Sequence, residues 1–99
     1  MTELVVGPAA VDDLRETRDH YEGVQAGLSR RFLVAVDALF ERLGQFARSA
    51  PVVIGYADVR RVVVRGLPYV VFYRHQPGRI DVLRVLHAAR SDADRPSAL

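Results

Sequence analysis

The chain has 99 residues, of which 49% are hydrophobic and 26% charged, with a net charge of +2 and no cysteine. That length suits one domain with a single modest core, and the missing cysteine excludes disulfides, thiolate chemistry and zinc–thiolate sites. All fourteen basic residues are arginine, which excludes any mechanism that needs a lysine amine.

The chain opens Met-Thr-Glu-Leu, without a basic-then-apolar signal segment, and no apolar run approaches the roughly 20 residues of a membrane span. A cytoplasmic protein without membrane contact is expected. Glu3 to Val6 reads as a short strand, broken by Gly7-Pro8. Pro8 suits a first helical turn, where its missing N–H leaves nothing unpaired. Ala10, Leu14, Thr17 and Tyr21, with Val11 beside them, form a stripe at helical spacing, and Asp12, Asp13 and Glu16 suit the positive end of that helix. Gly23 is expected to end it.

A second helix follows, with Leu28, Phe32, Ala35/Val36, Leu39, Leu43 and Phe46 recurring at steps of three and four. Arg30, Arg31, Asp37, Glu41 and Arg42 lie mostly off that stripe, and Ser49-Ala50-Pro51 stops the helix. The short link between the helices predicts an antiparallel αα-hairpin. Residues 52–58 read as a loop with a turn at Gly55. Three β-rich runs then follow, separated by Gly66-Leu67-Pro68 and Gln76-Pro77-Gly78-Arg79, the pattern of an antiparallel meander. The polar tail 91–99 is expected to fray. The order β-α-α-β-β-β predicts an α+β domain spanning 1–99, with the hairpin on one face of a small antiparallel sheet that the first strand joins.

The strands are apolar on both faces. If Pro77-Gly78 is a two-residue turn, Val70 and Phe72 share a face with Leu83 and Val85, expected under the helices. Tyr69, Val71, Tyr73, Val82, Arg84 and Leu86 then form an aromatic-apolar strip on the other face, and a slip of one residue exchanges the two sets. Such a strip implies a partner, a homodimer or a covering tail. Seven arginines against two acids between Asp58 and Arg90 favour an anionic partner.

Catalytic patterns are sparse. The glycines form no phosphate loop, Ser29, Ser49, Ser91 and Ser97 lack a nearby histidine–acid pair, and His20, His75 and His87 lie on separate elements without ligand spacing. No metal or cofactor is expected. His87 ends the last strand among arginines, a set able to perform acid–base work with phosphate stabilisation, or simply a strand-end histidine bonded to backbone. Arg84, in mid-strand, is either paired or facing a ligand.

RF-x6-L at Arg31-Phe32 to Leu39, GLPYVVFYR from Gly66 to Arg74 and VLRVLHAAR from Val82 to Arg90 accompany this element order. Together they resemble the RelE/ParE toxin superfamily of bacterial type II toxin–antitoxin modules, nearer the ParE branch, over nearly the whole chain. The resemblance implies a cytoplasmic growth inhibitor, of the kind associated with plasmid stabilisation, neutralised by a ParD-like antitoxin in a hetero-oligomer. The antitoxin's disordered segment would fold onto the toxin, and DNA would be contacted only through the antitoxin. ParE-like members are thought to inhibit DNA gyrase by binding, so activity without catalysis is expected. The antitoxin would cover Tyr69, Val71, Tyr73 and Arg84 together with the helical hairpin, while Arg65, Arg84, His87 and Arg90 would serve toxicity.

The alternative from the RelE branch is a ribosome-dependent mRNA endoribonuclease using His87 with Arg84 and Arg90. That branch's two catalytic arginines and its C-terminal tyrosine fall near Val70, Ala88 and Asp94 here, so its usual groups are missing. A third reading is a non-toxic homodimeric module with the sheet face as its interface.

Overall fold

A computed structural model describes residues 2–94, 96 and 99. The chain runs β1 (Glu3–Val6), α1 (Pro8–Val24), α2 (Leu28–Phe46), β2 (Val59–Val63), β3 (Tyr69–Gln76) and β4 (Arg79–His87). The strands form one sheet in the order β1-β4-β3-β2. β2, β3 and β4 are the expected antiparallel meander, whereas β1 joins parallel to β4, pairing Leu4 with Ile80 and Val6 with Val82. The sheet is therefore mixed.

α1 opens on Pro8 as expected but does not stop at Gly23. It continues to Val24, and the chain leaves the helix at Gln25, whose extended backbone donates its N–H to the Tyr21 carbonyl. The left-handed residue is Gly27, with φ of 89°, and it redirects the chain into α2. The hairpin closes through Tyr21 against Phe32, ring centroids 5.9 Å apart. Of the α2 stripe, Phe32, Val36, Leu39 and Leu43 are buried, but Phe46 is 60% exposed.

Pro77-Gly78 is the two-residue turn, with Gly78 at φ 72° and Gln76 opposite Arg79. The face assignment is nonetheless reversed for the β3 residues and for Val82 and Leu83, whereas Val85 under the helices and Leu86 on the opposite face stand as expected. A β-bulge shifts the register, so that Tyr73 faces Val82 while Phe72 faces Arg84, and Leu83 is the additional residue. Tyr69, Val71, Tyr73, Val82 and Val85 pack under the helices with Phe32, Val36 and Leu39. Val70, Phe72 and Leu86 occupy the opposite face. The tyrosines gain from the helix side: Tyr73 donates its hydroxyl to the carbonyl of Ala47, one of the orphan acceptors where α2 ends. Tyr69 lies edge-on to Phe32 at 5.0 Å.

The opposite face is not bare. Val53, Val59 and Ala93 bury Val70, Phe72 and Leu86, with Tyr56, Leu83 and Leu99 packed at the margin. The aromatic strip expected there is absent, and the part of the tail at Ala93, 2% exposed, is packed down rather than frayed. Of the frayed-tail expectation, residues 95, 97 and 98 lie outside the described residues.

Candidate partner-binding surfaces

The arginine-rich end of β4 is built around a gap in the sheet. β1 pairs with β4 only as far as Val82, where Gly7 donates its N–H to the Val82 carbonyl at 2.9 Å. A Cβ on Gly7 would meet that oxygen at 3.1 Å, so the close approach favours glycine. Beyond this point β4 has an open edge, and α1 passes over it. Asp13, 7% exposed, takes the place of the missing strand: its Oδ2 accepts the Val85 N–H at 2.9 Å. The same carboxylate receives Arg84 through Nε at 2.7 Å and Nη2 at 2.9 Å, a two-pronged ion pair. This bond holds the Arg84 guanidinium above its ordinary pKa. Arg84 is thus a strut between sheet and helix, and Asp13, which the sequence offers only as a helix-end charge, is its partner.

His87 and Arg90 share this end. His87 Nδ1 accepts the Ala89 N–H at 3.0 Å, which leaves the proton of the neutral ring on Nε2. Its ring stands edge-on to Tyr69 at 5.1 Å. Burial, with Tyr21 beside it, pushes the Tyr69 hydroxyl up to about 12. Arg90 donates through Nε and Nη2 to Asp92 at 3.0 and 3.1 Å. His87, Arg90, His20, Glu16 and Thr17 border a shallow cavity of about 230 Å³. Both arginines at this end carry carboxylate partners, so the metal-free nuclease set of His87, Arg84 and Arg90 has no unpaired guanidinium among the described residues.

Arg65 is elsewhere. It follows β2 and, with Arg42, flanks an open groove of about 500 Å³ between the C-terminal half of α2 and β2. Leu39, Leu43, Phe46, Val62 and Val63 form its walls. Phe46 is 60% and Val63 54% exposed at the mouth. The outer edge of β2 is only half covered: Val53 donates to Val59 at 2.8 Å and Arg61 donates to Pro51 at 3.1 Å. By the two-residue repeat, the next outward-facing N–H is that of Val63. An open strand edge beside an apolar groove is the arrangement that takes an extended or helical segment of another chain.

Tyr69, Val71 and Tyr73, proposed from sequence as the antitoxin strip, are 6%, 0% and 0% exposed beneath the helices. None of the three offers an open contact. Sequence reasoning missed the groove because Phe46 reads as the last residue of a buried stripe. The signal available was the Val62-Val63-Val64 run, too apolar for an edge strand facing water on one side.

A family model described as "ParE toxin of type II toxin-antitoxin system, parDE" matches residues 4–92. The chain belongs to the ParE toxin family. Among solved structures, a chain of the chromosomal ParDE TA system from P. aeruginosa is similar, with a TM-score of 0.64 and 26% identity. That alignment covers 88% of this chain and 96% of the other. No curated protein gives a significant match. Among the described residues of this ParE-family chain, no helix is long and apolar enough to cross a membrane.

Proposed function

We propose that this ParE-family chain arrests bacterial growth by binding DNA gyrase in the cytoplasm, and that a ParD-type antitoxin neutralises it by occupying the α2–β2 groove. The observation that carries the antitoxin assignment is the groove itself. It joins apolar walls to the uncovered end of the β2 edge at Val63, and Arg42 and Arg65 at its rim suit an acidic segment. A disordered antitoxin tail folding there would cover the exposed Phe46 and Val63 together.

For the target we assign the open edge of β4, where His87 and Arg90 sit at the exposed end of the strand. Arg84 supports that end through Asp13, and Arg65 belongs to the antitoxin groove. Inhibition by binding is favoured over RNA cleavage because Arg84 and Arg90 are both engaged with carboxylates.

The test is inducible expression without antitoxin, paired with a DNA supercoiling assay on purified gyrase. Growth arrest with DNA-damage signalling and loss of supercoiling is expected. Arrest with cleaved transcripts and intact supercoiling would replace the gyrase assignment with the nuclease. Unimpaired growth with soluble folded protein would count against toxicity in that host.

A further inference from the structure

The charges around the cavity at the end of β4 do not balance. Asp13, Glu16 and Asp92 gather around Arg84 and Arg90, three carboxylates against two guanidiniums. Asp13 holds Arg84 at 2.7 and 2.9 Å, and Asp92 holds Arg90 at 3.0 and 3.1 Å. The Arg84 guanidinium is raised above its ordinary pKa first by the Asp13 hydrogen bond, and the charges of Asp92 and Glu16 add to it. Glu16 itself enters no ion pair among the described residues. One negative charge is left over, on an exposed side chain that lines the cavity.

The rest of the lining suits a group that would balance it. Glu16 and His20 stand one turn apart on α1 and share a face, and His87 meets them from β4. The Tyr69 ring joins the two elements, edge-on to His87 at 5.1 Å and to Tyr21, the chain neighbour of His20, at 6.1 Å. A volume of about 230 Å³ admits one side chain rather than a strand or helix. An anion entering here would face the Glu16 carboxylate, and both guanidiniums that could receive it are already engaged. A guanidinium, by contrast, pairs with a carboxylate and stacks flat on aromatic rings.

We infer that this cavity receives one arginine side chain of the protein that the toxin inhibits, with Glu16 as its carboxylate and the rings of His20 and His87 beside it, a proposal that rests on the assignment of the open β4 edge to the target. An exposed ion pair and a stacking contact are each modest, and together they favour a charged group over its neutral isostere by about tenfold.

The first test needs no gyrase. The full-length chain is titrated with N-acetyl-arginine amide and with the neutral N-acetyl-citrulline amide, and amide shifts are followed by NMR. The arginine probe should shift Thr17, His20 and His87 and bind about tenfold more tightly than the citrulline probe. Asp37, an exposed carboxylate on α2, controls for diffuse binding. Glu16→Gln should bring the two probes within about twofold of each other. Glu16 is exposed, so its substitution leaves the core intact. Equal affinities in the parent, or equal shifts at Asp37, would overturn the inference. So would a stronger response to inorganic phosphate, which would make the cavity an anion site. With purified gyrase, Glu16→Arg should raise the concentration needed to block supercoiling by more than about tenfold. An arginine-selective cavity whose Glu16→Arg variant inhibits as well as the parent would overturn its use in target binding. A parent that binds the arginine probe and leaves gyrase unaffected would overturn the gyrase assignment alone.

Discussion

Asp13 and Arg84, 71 residues apart in sequence, meet in a two-pronged ion pair that fastens α1 to the open edge of β4. The side chains are 8% and 22% exposed, so neither charge is fully solvated when its partner is removed. Arg84→Ala leaves the Asp13 carboxylate largely buried with one backbone donor, and is expected to cost about 2–4 kcal/mol. In a domain of this size that lowers the melting temperature by roughly 10–20 °C. Thermal unfolding of Arg84→Ala, Asp13→Asn and the double variant checks this. Additive effects of the two single changes would show that the pair is not coupled.

The α2–β2 groove predicts a separation of binding from stability. Phe46→Glu and Val63→Glu place charge on side chains that are more than half exposed, so the melting temperature should hold within a few degrees. Affinity for the cognate antitoxin should fall at least about a hundredfold, as expected when a charge enters a desolvated contact. Val71→Ala, by contrast, opens a cavity beneath the helices and should cost about 2 kcal/mol with a smaller change in affinity for the folded fraction. Calorimetric titration with antitoxin distinguishes the two classes, and unchanged affinity for both glutamate variants would remove the groove from the interface.

Reversing the rim charge should act mainly on encounter. Arg65→Glu is expected to slow antitoxin association by about tenfold at low salt, and by much less at high salt, where screening is strong. Association rates measured across ionic strength would show this, and a salt-independent effect would contradict a steering role.

At the C-terminal end of β4, His87→Ala with Arg90→Ala should reduce growth arrest by more than about tenfold while antitoxin affinity stays within about threefold. The two surfaces share no lining residues, the one around His87 and the other around Phe46. Parallel loss of toxicity and antitoxin binding in a folded double variant would merge them.

Tyr69 gives an alkaline dependence. Its hydroxyl is raised from an ordinary 10 to about 12, first by burial and then by Tyr21, and Tyr73 is raised by burial as well. A folded-state pKa above the unfolded one means the neutral form is favoured by folding. The stability linked to that form is complete below pH 10 and is lost as pH rises towards 12. Denaturant unfolding across this range should show a decline that Tyr69→Phe reduces, and a flat profile for the parent protein would refute it.

Much of the fold was legible because its signals are local. The α2 stripe from Phe32 to Leu43, the helix start at Pro8 and the turn at Pro77-Gly78 each depend on residues a few positions apart. The sheet faces were not legible. A run such as Tyr69-Val70-Val71-Phe72-Tyr73 offers two apolar faces, and nothing within it says which meets the helices. Of the site residues, His87 and Arg90 do border one cavity at the end of β4, whereas Arg84 is bound to Asp13, Arg65 lies in a different groove and the three strip residues are buried.

By itself the sequence determined the element order, the helical hairpin, the meander and the resemblance to the ParE branch, because periodicity and turn chemistry act over short separations. The tertiary structure alone decided that Tyr69, Val71 and Tyr73 face the helices, that Asp13 neutralises Arg84, and that Phe46 opens a groove instead of closing the core. The bulge at Leu83 moves each side chain beyond it to the other face, and its place is set by how β4 fits both β3 and α1. Contacts between residues so far apart in sequence depend on packing that no local pattern encodes.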